Sequence, residues 1–303
     1  DIAGQVDSEC VIASNTSSLS VTKIGAALPN PERVVGMHFF NPVDKMPLVE
    51  IVRGRQTSDK TAAIVAALTV KLGKFPIIVE DVPGFLVNRI LTPYLNEAAF
   101  LLSEGYSIAD IDGAATAFGM PMGPLRLLDE VGLDVAAHVS AIMVEGYGER
   151  MKGPGYAQLL VDGGRKGKKG GAGFYEFKDS KPVPCSSIAQ ILRIAASPQA
   201  DADRGYITKR LIYHLINEGV KCLDEGVAGN PGREAANQID LGTVMGMGFP
   251  PFRGGLLNYA SSLGAEEILK TLKEFEDAFG ERYSVAEGIR KRAASKRDFY
   301  QAA

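Results

Sequence analysis

A segment that occurs twice constrains this chain most. "NRILTPYLNEAAFLLSEG" at 88 to 105 returns as "KRLIYHLINEGVKCLDEG" at 209 to 226. Arg89, Asn96-Glu97 and Glu104-Gly105 align with Arg210, Asn217-Glu218 and Glu225-Gly226 at one constant offset. Further on, "DID" and "GMPMGP" meet "QID" and "GFPPFRG". Chance does not keep such spacing over so many positions, so an internal duplication of a helical domain is expected.

Ahead of the repeat the texture differs. "CVIAS" at 10 to 14, "VVGMHFF" at 34 to 40, "PLVEIV" at 47 to 52 and "FPIIVE" at 75 to 80 are short, apolar and β-branched, as strands are. A helix is expected from about Ser20 to Leu28, with Ser18 or Ser20 as its cap, and another from Ser58-Asp59 to Gly73. This alternation predicts an α/β sheet with mostly parallel strands over residues 1–81. From residue 83 the pattern is helical. Pro83 suits a helix start, Pro93 should kink or interrupt that helix, and Ser107 with Asp110 forms a capping box. The Gly- and Lys-rich "GGRKGKKGGAGFYEFKDSKPVP" at 163 to 184 predicts loop and domain edge. Arg165, Lys166, Lys168 and Lys169 suit phosphate there, but a solvated loop is the simpler account. "SSIAQILRIAA" predicts a helix leading into the second helical block, and "GFPPFRGG" a rigid turn.

With 303 residues, 46% of them hydrophobic and 23% charged, the chain has the make-up of a globular protein. A net charge of -3 gives no general reason to expect nucleic acid, and no apolar run approaches the length of a membrane span. Three scattered cysteines and three histidines argue against a disulfide framework and a metal cluster, and fit a reducing, cytoplasmic compartment.

"MHFFNPVDKMPLVEIV" at 37 to 52 holds the candidate chemistry. If its two strands pair antiparallel around Asp44, His38 falls opposite Glu50 on one face. A carboxylate beside an imidazole orients it as a general base. A lone histidine in a strand is more often a satisfied core residue. At this register the two readings stand about even. Asn15 to Ser20 end a strand where open α/β sheets place ligands, and Asn88 follows "PGFLV". On spacing alone these remain open between ligand contacts and ordinary surface positions. His138 and His214 lie in helical patterns and read as structural or solvated.

Together, "ASNTSSLS", "GMHFFNPV", "LVEIV", "DVPGFLVNRIL", "AFGMPMGP" and "KGGAGFYEF" resemble the 3-hydroxyacyl-CoA dehydrogenase family in order and spacing. The duplicated helical domain resembles the α-subunit of the bacterial fatty-acid oxidation complex in particular. The resemblance implies part of a Rossmann-like dinucleotide domain over 1–81, then two helical C-terminal domains at 82–184 and 185–303. It implies NAD as cofactor and oxidation of a (3S)-3-hydroxyacyl-CoA to a 3-oxoacyl-CoA in fatty-acid β-oxidation. His38 matches the family's base and Glu50 its orienting partner. Ser17 matches the residue at the substrate's hydroxyl or keto oxygen, and Asn88 the one on the thioester side. Asn15, Ser17 and Asn41 fall in cofactor-binding positions. An acyl-CoA substrate, a thiolase partner subunit and self-association are the implied partners. Alternatives are a helical assembly platform for that thiolase, or a short-chain 3-hydroxybutyryl-CoA dehydrogenase. The family's GxGxxG turn is absent from this sequence. By family architecture, about a hundred residues of dinucleotide domain and an upstream hydratase/isomerase region would precede the chain. It is therefore expected to be the C-terminal part of a larger polypeptide and a poor catalyst alone.

Overall fold

The structure, a computed structural model, describes residues 2–17, 19–178, 181–195, 197–199 and 203–301. They form two compact units, one of Asp1–Arg89, Gly219–Glu267 and Ala286–Ala303, the other of Ile90–Glu218 and Ile268–Val285.

The first unit begins with β1 (Ile12–Ser14), α1 (Val21–Ala26), β2 (Val34–Phe39), β3 (Leu48–Arg53), α2 (Asp59–Lys71) and β4 (Phe75–Glu80). The strands lie in the order β1-β2-β3-β4, with β1/β2 and β3/β4 parallel and β2/β3 antiparallel. The sheet is thus mixed, because the loop from β2 to β3 is too short for a crossover. Strand alternation sorts the side chains. Val35, Met37, Val49 and Ile51 face α2 and pack on its Ala62 and Val65. Gly36, His38, Leu48 and Glu50 face the other side. There α1 lies beside β2 and β3, and α10 (Arg233–Met247) beside β3 and β4. Gly242 and Gly246 let α10 approach closely, since a Cβ at Gly246 would press on Leu48 and Val87.

Caps define the helix starts. Ser20 Oγ accepts from Lys23 N at 3.2 Å and Ser58 Oγ from Thr61 N at 3.1 Å, as the sequence suggested. Ser18 lies outside the described residues. The Ser107–Asp110 box also forms, with Asp110 N donating to Ser107 Oγ at 3.1 Å and the hydroxyl donating to Asp110 Oδ2 at 2.6 Å.

A helix starting at Pro83 and an interruption at Pro93 are not found. The helix after Pro83 starts later, as α3 (Val87–Ser103), because Gly84 (φ 72°) and Phe85 (φ 50°) take left-handed backbone. Pro93 lies inside α3 without interrupting it. Ile90, Tyr94, Ala98 and Leu101 bury the helix on both sides of the proline. That burial outweighs the roughly 3 kcal/mol an interior proline costs.

Helices α4 (Ile108–Phe118), α5 (Pro124–Val131), α6 (Leu133–Tyr147) and α7 (Tyr156–Asp162) follow α3. The lysine-rich stretch then holds a hairpin, β5 (Tyr175–Lys178) with β6 (Lys181–Pro184), that its Gly and Pro content concealed. Lys168 pairs with Glu130 at 2.8 Å and Lys169 with Asp134 at 2.6 Å, so these two lysines brace the fold. The bridging helix is short, α8 (Ile188–Ile191), and α9 (Arg204–Asp224) precedes α10. The chain closes with α11 (Leu256–Leu263), α12 (Ala265–Phe279) and α13 (Glu287–Ser295). Between α10 and α11, "GFPPFRGG" makes a 3-10 turn at Pro251–Arg253.

Positions aligned by the repeat make mirrored contacts. Arg89 meets Glu225 at 2.7 Å, and Arg210 meets Glu104 at 2.6 Å. Arg150 pairs with Glu218, while Arg282 meets Glu97 at 3.1 Å. Asp112 accepts from the backbone of Leu125 and Arg126, each at 2.9 Å, and from the Tyr175 hydroxyl at 2.7 Å. Asp240 likewise accepts from Leu257 N at 2.6 Å and from the Tyr300 hydroxyl. In both cases a buried carboxylate at one helix caps the start of the next.

These carboxylates tie stability to pH. Burial raises Asp240 to about 6 against the hydrogen bonds of Tyr300 and Leu257, and raises Asp129 to about 6 against the amides of Tyr175 and Phe174. A carboxyl raised in the folded state contributes stability that is full below its unfolded value of 3.8 and lost as pH rises through about 6. Asp240→Asn, a neutral mimic of the protonated form, should therefore gain on the parent protein by about 1–3 kcal/mol between pH 4 and pH 7. Urea denaturation at the two pH values checks this. A difference that stays flat would refute the assignment.

Candidate active site

His38 is the fifth residue of β2 and Glu50 the third of β3, and the antiparallel register sets them directly opposite. His38 Nδ1 lies 2.7 Å from Glu50 Oε2, with His38 4% exposed and Glu50 fully buried. A carboxylate only accepts, so Nδ1 is the nitrogen that donates to Glu50, and Nε2 is the one turned away from it. The other glutamate oxygen, Oε1, accepts from Leu86 N at 3.1 Å and Val87 N at 2.9 Å. These amides stand at the start of α3, where backbone N–H groups have no partner within the helix. Glu50 is thereby fixed at both oxygens, and the imidazole with it. The rings of Phe40 and Phe85 lie 4.7 Å and 5.5 Å from that of His38 and close its flanks.

The residues predicted around this pair divide by exposure. Asn15 leaves the end of β1, and its Oδ1 accepts from Phe39 N at 3.1 Å, which ties the loop after β1 to the strand that carries His38. Ser17 is exposed in that loop, and Asn41 is exposed just past the end of β2. Asn88 is the second residue of α3, half-buried, directly after the amide of Val87 that holds Glu50. These positions all belong to the first compact unit. His214 is used elsewhere. Its Nε2 stands 3.1 Å from Glu97 Oε2 and its ring stacks on Tyr283 at 3.8 Å. His138 is exposed on α6.

The backbone amides of Leu86 and Val87 escaped the reading of the sequence. A Pro-Gly-Phe turn leading into a helix was the available signal, because the first amides of that helix need acceptors. Among the described residues no cluster of His, Cys, Asp or Glu is suited to a metal, and no helix is long and apolar enough to cross a membrane.

The site therefore combines a buried histidine–glutamate pair with exposed polar positions at the strand ends. The dinucleotide side is less complete. No strand-to-helix turn among the described residues has the glycine pattern that cradles a pyrophosphate, so the phosphates are assigned no residue.

Comparison with known proteins identifies the family. Residues 1–82 match the family model described as 3-hydroxyacyl-CoA dehydrogenase, NAD binding domain, and residues 84–177 match the C-terminal domain of the same family. The chain is 43% identical over 300 residues to the fatty acid oxidation complex subunit alpha of Vibrio parahaemolyticus, covering 99% of this chain and 42% of the relative. The subunit of the same name from Shewanella loihica is 42% identical over 303 residues, with the same coverage. The chain thus spans 42% of the length of these curated relatives. Among solved structures, 3-hydroxybutyryl-CoA dehydrogenase from Escherichia coli superposes with a TM-score of 0.81 at 28% identity, over 97% of this chain and 77% of that one. The dehydrogenase part of multifunctional enzyme 1 from C. elegans gives 0.66 at 28% identity, over 96% and 66%. With two consecutive domains of one family matched in order, and the histidine–glutamate pair set between its strands, this chain belongs to the 3-hydroxyacyl-CoA dehydrogenase family.

Proposed function

We propose that this protein supplies the proton-transfer and substrate-side machinery of an NAD-dependent 3-hydroxyacyl-CoA dehydrogenase acting in fatty-acid β-oxidation. The observation that carries the reading is the His38–Glu50 pair, 2.7 Å apart and buried, with the free glutamate oxygen held by two backbone amides. His38 Nε2 takes the proton of the substrate's 3-hydroxyl as the carbonyl forms, and returns it in the reverse reaction. Glu50 keeps the ring in the tautomer that leaves Nε2 free and faces the imidazolium once it forms. Ser17 hydrogen-bonds the reacting oxygen, and Asn88 the thioester side. Asn15 and Asn41 line the nicotinamide position, and NAD supplies the hydride acceptor when bound. In the intact protein the expected result is oxidation of NADH by acetoacetyl-CoA. An intact protein that forms no 3-hydroxyacyl-CoA from saturating substrates would sink the proposal.

The helical region is proposed to be a tandem duplication, residues 82–184 and 185–303, and its mirrored ion pairs support the duplication. A second role, docking a thiolase subunit, is supported by relatives named as subunits of a fatty acid oxidation complex. Phe252, 75% exposed on its rigid turn, is one apolar contact such a partner would cover. Co-elution with a fatty-acid thiolase on gel filtration is expected. Separate peaks at micromolar concentrations would refute this role.

A further inference from the structure

Helix α1 has only six residues, too few to hold a helical shape or place by itself. Tertiary contacts decide where its first turn sits. The carboxylate of Asp81, just past β4, takes three of that turn's donors. Ser20 Oγ donates to Oδ2 at 2.6 Å, Thr22 N to Oδ2 at 2.8 Å and Val21 N to Oδ1 at 3.1 Å. Ser20 already caps the helix from within, through Lys23 N, so Asp81 does more than satisfy loose amides. It ties α1 to the far end of another strand. Close packing supports the same placement. Thr22 Oγ1 accepts from Arg55 N at 3.0 Å, and a Cβ at Gly36 or Gly54 would press on Val21 or on the backbone of Thr22.

The loop that carries Ser17 is therefore held at both ends. Asn15 fixes its start to Phe39, beside His38, and Asp81 fixes its end through Ser20, Val21 and Thr22. Asp81 also opens the turn that leads, five and six residues on, to the Leu86 and Val87 amides that hold Glu50. Moving Asp81 would shift the serine loop and the glutamate's anchor relative to each other.

We propose that Asp81 is a positioning residue for the reaction, setting Ser17 in register with the His38–Glu50 pair while touching neither substrate nor reacting atoms. This rests on the reading that Ser17 hydrogen-bonds the substrate oxygen. A buried or clamped hydrogen-bonding group contributes only where its geometry is kept, so Ser17 and Asp81 should act as one unit.

A double-mutant cycle in the intact protein tests this, with acetoacetyl-CoA and NADH as substrates and a thermal melt of each variant. Asp81→Asn keeps the size of the side chain but puts an NH2 in place of one oxygen, so that it opposes the Val21 donor or the Ser20 and Thr22 donors. It should lower kcat/KM for the acyl-CoA about ten-fold or more while moving the KM for NADH less than about two-fold. Ser17→Ala should cost about ten-fold in the parent and under about three-fold in the Asp81→Asn background. If Asp81→Asn does not fold, the same cycle is run with Ser20→Ala, which removes one of the three donors and leaves the carboxylate. Equal cost of Ser17→Ala in both backgrounds overturns the proposal and leaves the dehydrogenase reading intact. A silent Ser17→Ala in a protein that His38→Gln inactivates removes the serine assignment, and this proposal with it. If His38→Gln is silent too, the dehydrogenase reading itself is wrong.

Discussion

Replacing His38 by Gln should lower turnover of acetoacetyl-CoA by about two to four powers of ten, the usual worth of a positioned general base. Glutamine keeps a polar group of similar reach that can still donate to Glu50, so the buried carboxylate is not left without a partner. What disappears is the basic Nε2. Loss should therefore fall on kcat, while NADH affinity, read by fluorescence titration, stays within about two-fold. Equal loss of turnover and NADH affinity would mean that His38 holds the cofactor or the fold, and would defeat the assignment. Glu50→Gln makes a useful comparison. Its amide still accepts one bond, but offers an NH2 either to the imidazole or to the amides of Leu86 and Val87, all of which donate toward Glu50 in the native site. Turnover should fall in that variant too, through the ring's orientation.

Glu97→Ala should be the most destabilising single change in the helical region, at about 3–5 kcal/mol. Glu97 is fully buried and receives Arg210 Nε at 2.6 Å, Arg282 Nε at 3.1 Å and His214 Nε2 at 3.1 Å. Burial alone would raise its carboxyl, but His214, Arg210 and Arg282 outweigh it and hold the group below its ordinary range. Removing it leaves the fully buried Arg210 and the half-hidden Arg282 packed on Phe279, with one carboxylate, Glu104, to serve both. The repeat supplies the control. Glu218, its counterpart, pairs with Arg150, which is partly exposed, so Glu218→Ala should cost less. Urea midpoints compare the two. A Glu97→Ala loss within about 1 kcal/mol of wild type would show that the cluster is only a solvated network. The sign with pH also follows. A carboxyl lowered in the folded state stabilises above its unfolded value and that contribution fades as pH falls, so Glu97 opposes Asp129 and Asp240 on acidification.

Much of this was legible without coordinates. Side-chain period along a strand is two, so placing a turn at Asp44 was enough to set His38 against Glu50, and the register is as the count required. Caps at Ser20, Ser58 and Ser107 were equally local, since a hydroxyl before a helix needs only its own chain to find its amide. Family motifs spread over the chain supplied the rest of the identification. Failures came where distant burial overrode local rules. Pro93 stays within α3 because apolar neighbours on both sides of it are buried, and the β5–β6 hairpin forms in a stretch whose composition reads as loop.

The alternation of strands and helices up to β4 and the pairing of His38 with Glu50 followed from the sequence alone, because each rests on periodicity or spacing within one stretch of chain. Which groups hold that pair did not. The amides of Leu86 and Val87 reach Glu50, and Asp81 reaches the first turn of α1, across dozens of residues that only folding brings together. A hydrogen bond is decided within a few tenths of an ångström, and nothing in the linear order of residues fixes a distance that small between separate elements.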